Sequence, residues 1–219
     1  IIGATAAFEL VKRNYEVTII DSTEKGRATS AAAGIICPWI SQRRNQRWYE
    51  LASKGSAFLK QLVLDLEKYG KTDTGYKQVG TLRVHHEQIG EVTLLSKEET
   101  QEKFPLLAED YYALYVSGGA RVDGRALRQS LTEAAIELGA TYINGKATLL
   151  VDGREIVGVH VTKSNNIDGA TEAVITEEKI YADNVILTNG VWMPETLVPL
   201  GISLPINIQK GEIVHLQTD

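Results

Sequence analysis

The opening of the chain constrains its fold most. Ile1-Ile2-Gly3-Ala4-Thr5-Ala6-Ala7-Phe8-Glu9-Leu10 is followed by Glu16-Val17-Thr18-Ile19-Ile20-Asp21. Small side chains at Gly3, Ala4, Ala6 and Ala7 let a helix lie close on a sheet, and Phe8, Leu10 and Val11 give it an apolar side. Val17 to Ile20 then reads as a short buried parallel strand, with an acid at its end. This order matches the back half of a dinucleotide-binding βαβ unit. In such a unit a strand runs into G-x-G-x-x-G, a helix starts at the last glycine, and a carboxylate roughly 20 residues on holds an adenosine ribose. Gly3 fits that last glycine and Asp21 that acid. The first strand and the first two glycines are not in the sequence, so an alanine-rich helix before an unrelated strand stays open as the plainer reading.

Bulk properties exclude more than they assign. The 219 residues suit one large domain or two small ones. A net charge of −5 gives no general drive toward nucleic acid or an anionic membrane. No apolar run approaches the ~18 residues of a membrane span, and no signal-peptide pattern is present. A single cysteine, Cys37, excludes an internal disulfide framework, which makes a reduced, cytoplasmic setting the default. There is no internal repeat and no low-complexity tract.

After Asp21, the stretch from Ser22 to Ile36 is built of small side chains and hydroxyls with no helix or strand period. Arg27, Thr29 and Ser30 are donors suited to phosphate or ribityl oxygens, while Ala32, Ala33, Gly34 and Ile35 leave room for a flat ring. An ordinary surface loop is the alternative. A helical pattern follows from about Gln42 to Tyr69, with Leu51, Phe58, Leu59, Leu62, Val63, Leu66 and Tyr69 as its apolar stripe and Gly70 as its stop. Gly55 inside that run suggests a break or close packing. Arg43, Arg44 and Arg47 read as a solvated face at the helix start rather than a phosphate site.

Val79 to His85 and Glu91 to Leu95 read as strands, and Ser96-Lys97-Glu98-Glu99 as a capping box opening a helix that Pro105 ends. Adjacent His85 and His86 point to opposite faces of a strand without a ligand partner at the right spacing, which argues against a metal. Tyr111 to Ser117 is a further strand. Asp123 caps an amphipathic helix with Leu127, Leu131, Ala134, Ala135 and Leu138 on one face and Gly139 at its end. Thr141 to Asn144 is the next parallel strand. Ala147 to Val151 and Ile156 to Thr162 form a hairpin around Asp152-Gly153-Arg154-Glu155, with further strands near Glu172 to Thr176 and Lys179 to Ala182. Asn184 to Thr188 reads as a buried strand entering Asn189-Gly190-Val191-Trp192, and Pro205 to Gln217 as a long strand.

Gly3 to Asp21, Arg27 to Ile35, Val79-Gly80-Thr81-Leu82, Leu187 to Trp192 and Lys210-Gly211-Glu212, taken in order, resemble the flavin-dependent amine and amino-acid oxidase family. Its members include glycine oxidase, D-amino-acid oxidase and sarcosine oxidase, and the resemblance is closest to glycine-oxidase-like members. It covers the whole chain. It implies an α/β fold in which a Rossmann-like FAD-binding domain with a parallel sheet is interleaved with a mostly antiparallel substrate domain. On that pattern residues 1–75 and 118–200 belong to the FAD-binding domain, and residues 76–117 and 201–219 to the substrate domain. The cofactor neighbours carried over are Gly3, Asp21, Ser22, Arg27, Thr29, Ser30, Ala32, Ala33, Gly34, Ile35, Ala147, Thr188, Asn189, Gly190 and Trp192, with Ala147 near the adenine. Trp192 as simple core packing stays equally open. Covalent flavin links in the family are carried by the C-terminal part, so Cys37 is read as a small buried residue. The proline usual after Val122-Asp123 is Gly124 here.

By the same resemblance, the reaction is oxidation of a small amino acid or amine by hydride transfer to flavin N5. Oxygen then yields peroxide, and the imino acid hydrolyses to ammonia and an oxo acid. The arginine that clamps the substrate carboxylate, and the last flavin-binding loop, come from the C-terminal part of relatives, so no catalytic residue is assigned. The chain is expected to be truncated at both ends, to lack residues near Gln88/Ile89 where relatives carry a helix, and, without the glycine turn, to bind FAD poorly or not at all. Three other functions compete with an oxidase: a flavin dehydrogenase feeding an electron carrier, a nicotinamide-dependent dehydrogenase, and a non-catalytic nucleotide-binding module. The partners expected are a small amine or amino acid with oxygen or a carrier, and neither nucleic acid nor an integral membrane segment; an oligomer is allowed.

Overall fold

The computed structural model describes residues 1–22, 26–41, 43–85, 93–165 and 174–208. Its first elements are α1 (Ile2–Val11), β1 (Thr18–Asp21), α2 (Ala28–Ala31), β2 (Ile35–Ile36), α3 (Gln46–Lys68), β3 (Lys77–Gln78), β4 (Thr81–His85) and β5 (Leu94–Leu95). They are followed by α4 (Lys97–Lys103), β6 (Tyr112–Val116), β7 (Ala120–Arg121), α5 (Gly124–Glu137) and β8 (Thr141–Asn144). The last are β9 (Lys146–Asp152), β10 (Glu155–Asn165), β11 (Val174–Tyr181) and α6 (Met193–Leu197). The chain divides into two compact units, Ile1–Ala32 with Leu131–Asp219, and Ala33–Ser130.

In the first unit α1 buries Ala4, Ala7, Phe8 and Val11, a helical spacing that puts all four on one face, and that helix packs on β1. Asn14 adopts a left-handed conformation (φ 62°) to turn the chain toward β1, a conformation asparagine tolerates better than most residues. β1 and β8 pair in parallel, Thr18 opposite Thr141 through Asp21 opposite Asn144. The Thr141 amide donates to Val17 O at 2.9 Å and the Gly145 amide to Asp21 O at 3.2 Å, extending the pairing past both ends of β1. The hairpin forms as its turn chemistry requires: β9 and β10 are antiparallel around Gly153 (φ 60°), and β11 adds along the other edge of β10. Where two strands were expected across 172–182, one continuous strand, β11, runs through the described part.

One expected strand is absent. Residues 184–188 belong to no sheet, and Ile186 is 59% exposed. A strand exists only where a neighbour accepts its ladder, and among the described residues β1 and β8 pair with each other alone. Conversely, the segment expected to be irregular contains the short α2 and β2.

The second unit is antiparallel: one sheet has the order β2-β7-β3 and another β4-β6-β5. Asn45 caps α3, its side chain accepting from the Trp48 amide at 3.1 Å. Of the expected stripe, Leu62, Val63 and Leu66 are buried, whereas Leu51 is 73% and Phe58 47% exposed. Gly55 neither breaks α3 nor packs closely; a methyl group there would meet nothing beyond the helix's own backbone within 4 Å. Gly55→Ala should therefore stabilise the protein by about 0.5–1 kcal/mol, since glycine in a helix costs backbone entropy that alanine does not. A rise in the denaturant midpoint checks this, and a fall would mean that the glycine has a contact partner.

The capping box opens α4 as read: the Glu99 amide donates to Ser96 Oγ at 3.2 Å and the Ser96 amide to Glu99 Oε2 at 2.8 Å. At α5, Asp123 Oδ1 accepts from the amides of Arg125 (2.8 Å) and Ala126 (3.1 Å), and these bonds hold its carboxyl below the usual aspartate value. Asp123→Ala should cost about 1 kcal/mol and Asp123→Asn much less. Because the folded value is the lower one, this contribution is complete above the unfolded carboxyl's pKa of about 3.9 and is lost as pH falls through the folded value. A D123A variant should accordingly lose its stability difference from wild type in acid. The His86 and Gln88/Ile89 expectations lie outside the described residues, as does the 209–217 part of the strand expected over 205–217; its described part, 205–208, is in no strand.

Candidate active site

The amino end of α1 is a meeting point within the first unit. The Thr5 amide donates to Ile1 O at 3.0 Å, so Gly3 sits in the first helical turn. A Cβ on Gly3 would lie 2.5 Å from Thr188 Oγ1. With Thr188 in this rotamer a glycine gives the helix and the 184–188 segment room to approach closely, the kind of contact the last glycine of a dinucleotide-binding turn makes. The Ile1 nitrogen lies 3.3 Å from Thr29 Oγ1, to which it donates, so Thr29 also stands at this helix end. First-turn amides lack intrahelical acceptors, and with the helix dipole they favour an anion.

Asp21 occupies the carboxyl end of β1, the end of a parallel strand where ligands bind in folds of this kind. Arg27 Nη1 donates to Asp21 Oδ2 at 3.2 Å, with both side chains about 30% exposed. The structure thus joins directly the two residues that the sequence reading gave to ribose and phosphate. Ser22 is half-buried beside Asp21. Arg27 precedes α2, and its carbonyl accepts from the Ser30 amide at 3.1 Å; Thr29 and Ser30 are half-buried and Ala32, at the end of α2, is exposed and extended.

Thr188, which faces Gly3, leads into a turn. Gly190 (φ 56°) opens a 3-10 turn over Gly190–Trp192, and the Trp192 amide donates to Asn189 O at 3.1 Å. Asn189 Nδ2 donates to Thr196 Oγ1 at 2.5 Å, and Thr196 Oγ1 donates to Trp192 O at 3.2 Å. Asn189 Oδ1 is buried with no hydrogen-bond partner. Trp192 is half-buried. Thr196 is absent from the sequence reading, because nothing in the pattern signals a side-chain bond that reaches back across a turn. Ala147 is half-buried on β9, opposite Val161, and β9 neighbours β1.

Ala33, Gly34 and Ile35 fall in the second unit. Gly34 is left-handed (φ 71°), and its carbonyl accepts from the Val122 amide at 2.9 Å. A Cβ there would overlap the Val122 carbonyl oxygen. Ala33 is exposed, and Ile35, opposite Arg121 in β7, is 67% exposed. Among the described residues no group of three or more His, Cys, Asp or Glu side chains could hold a metal ion. None of the described helices is long and apolar enough to cross a membrane.

A family model described as FAD dependent oxidoreductase matches residues 1–219. The chain is 43% identical over 237 residues to the "Uncharacterized oxidoreductase YurR" of Bacillus subtilis (strain 168), an alignment covering 99% of this chain and 60% of the relative. It is 26% identical over 236 residues to a glycine oxidase of Geobacillus kaustophilus (strain HTA426), covering 99% of this chain and 59% of the relative. The chain therefore spans about three fifths of the length of these curated relatives. Among solved structures, iminodiacetate oxidase from Chelativorans sp. BNC1 superposes with a TM-score of 0.76 at 31% identity, over 90% of this chain and 55% of that one. Glycine oxidase from Geobacillus kaustophilus superposes with a TM-score of 0.74 at 24% identity, over 93% and 56%, and at that identity shares the fold.

Proposed function

The chain belongs to the FAD dependent oxidoreductase family, and on that premise we propose that the protein oxidises the CH–NH bond of a small amino acid or amine, with oxygen as acceptor. The observation that carries this reading is the close approach of Gly3 to Thr188 at the amino end of the helix that leads into β1 and Asp21. The residues present fit the cofactor: a helix end for the pyrophosphate, a carboxylate for the ribose, and hydroxyls on either side. In this reading the first-turn amides of α1 hold the pyrophosphate. Asp21 accepts from the adenosine ribose, and Arg27, Ser22, Thr29 and Ser30 donate to phosphate or ribityl oxygens. Thr188, Asn189, Gly190 and Trp192 close over the same helix end, with Ala147 toward the adenine. Ala32, Ala33, Gly34 and Ile35 are assigned as flavin neighbours from the sequence match.

We assign residues 1–75 and 118–200 to cofactor binding and 76–117 and 201–219 to the substrate side. When bound, FAD supplies a two-electron acceptor for hydride from the substrate α-carbon and passes those electrons to oxygen. The chain's own part is to hold the dinucleotide in one orientation, so that binding energy goes into alignment rather than into a diffusional search.

The test is peroxide release by the whole protein, supplied with FAD, on glycine, sarcosine, iminodiacetate, and D- and L-amino acids. Peroxide from at least one of them is expected. Flavin reduced by a substrate without air, yet no peroxide on readmitting oxygen, would transfer the reading to a carrier-linked dehydrogenase. Turnover of none of these amines, in air or without it, would end the amine reading.

A further inference from the structure

The Asn189–Trp192 turn carries more polar machinery than its backbone needs. Thr196 Oγ1 bonds back to Trp192 O, the ordinary habit of threonine in a helix. The same hydroxyl also accepts from Asn189 Nδ2, across the whole of the turn. One side chain thus ties down both ends of Gly190–Trp192. The backbone adds the bond from the Trp192 amide to Asn189 O, while Gly190 is left-handed and a Cβ there would have nothing within 4 Å.

Asn189 Oδ1, meanwhile, is buried and without a partner. An unpaired buried polar atom costs about 1–3 kcal/mol, and a position selected for stability alone would not keep it. Asn189 adjoins Thr188, which is seated against Gly3.

We propose that Thr196 is a positioning residue for FAD: its hydroxyl, through Asn189 and the Trp192 carbonyl, holds the turn so that Thr188 stays seated at the α1 amino end. The proposal rests on the FAD reading above. It makes Thr196 act through other residues, without touching the cofactor itself.

The test titrates FAD into the whole protein stripped of flavin, following flavin fluorescence. Thr196→Val keeps the shape and removes both part-buried bonds, and should weaken FAD binding about tenfold, the order that one or two hydrogen bonds are worth. Thr196→Ser keeps the hydroxyl and should bind within about threefold of wild type, since only a methyl group is lost. Glu195→Gln, on the same helix as Thr196, removes the exposed ion pair with Lys146 of β9 and should change nothing. Asn189→Ala combined with Thr196→Val should lose no more than the worse single variant, because the two residues act as one unit. Should Thr196→Val not fold, Thr196→Ala carries the same comparison. Unaltered affinity in the hydroxyl-free variant, failure of serine to restore it, or additive losses in the double variant would each overturn the inference while leaving FAD binding intact. Absence of FAD binding by the wild-type protein would overturn both.

Discussion

Gly34→Ala should unfold the 33–130 unit or lower its stability by roughly 3–5 kcal/mol, a loss confined to positions where backbone geometry and packing fail together. Gly34 has φ 71°, which costs an L-residue about 1 kcal/mol by itself. The new methyl group would also collide with the Val122 carbonyl oxygen, which is backbone and cannot rotate away. Separating the two strains the bond from the Val122 amide to Gly34 O and the adjoining β2–β7 pairing, Ile35 opposite Arg121 and Ile36 opposite Ala120. Gly26→Ala is the matched control, since Gly26 has φ 87° and open space around the added carbon. It should cost only about 1 kcal/mol. Equal losses in the two variants, measured by denaturant unfolding, would show that the overlap at Val122 contributes nothing.

Asp21→Ala should weaken FAD binding roughly ten- to hundredfold, the value of about 1.5–3 kcal/mol for hydrogen bonds to a charged group. Fold stability should hardly move. The pairing of β1 with β8 runs through main-chain atoms, including the bond from the Gly145 amide to Asp21 O, and none of these depends on the carboxylate. The Asp21–Arg27 pair is about 30% exposed on both sides, so solvent screens it and its loss is worth less than about 1 kcal/mol. Affinity and stability are therefore predicted to separate, and the separation is what identifies a ligand-facing acid. A variant that loses stability in step with affinity would make Asp21 a structural residue. Asp21→Asn, which keeps one acceptor and loses the charge, should fall between alanine and wild type.

Much of this was legible in the sequence because the signals are local. The spacing of Ala4, Ala7, Phe8 and Val11 fixes a helix face, the acid after Val17 to Ile20 fixes a strand end, and Ser96, Glu99 and Asp123 announce helix starts within three residues of the bonds they make. Features that depend on distant partners were not legible. An apolar run at 184–188 reads as a strand, yet strands are made by neighbours, and none of the described segments pairs with this one. Leu51 and Phe58 continue the period of α3 but stand exposed, because periodicity describes a face and not what covers it. Gly34 was legible as a small residue, while the reason it must be glycine is Val122, far along the chain. The bridge from Asn189 to Thr196 had no sequence signal, since it joins side chains across a turn whose geometry sequence alone does not fix.

The central claim is that the α1 amino end, with Gly3 against Thr188 and Asp21 beside it, is an FAD site. It is tested most directly by titrating FAD into the whole protein, wild type and Asp21→Ala, and following flavin fluorescence to saturation. The account predicts one FAD per chain for the wild type, retained through desalting as a yellow protein, and an affinity reduced at least about tenfold in Asp21→Ala. A colourless wild-type protein that leaves added FAD fluorescence unchanged, or equal binding by both proteins, would contradict it.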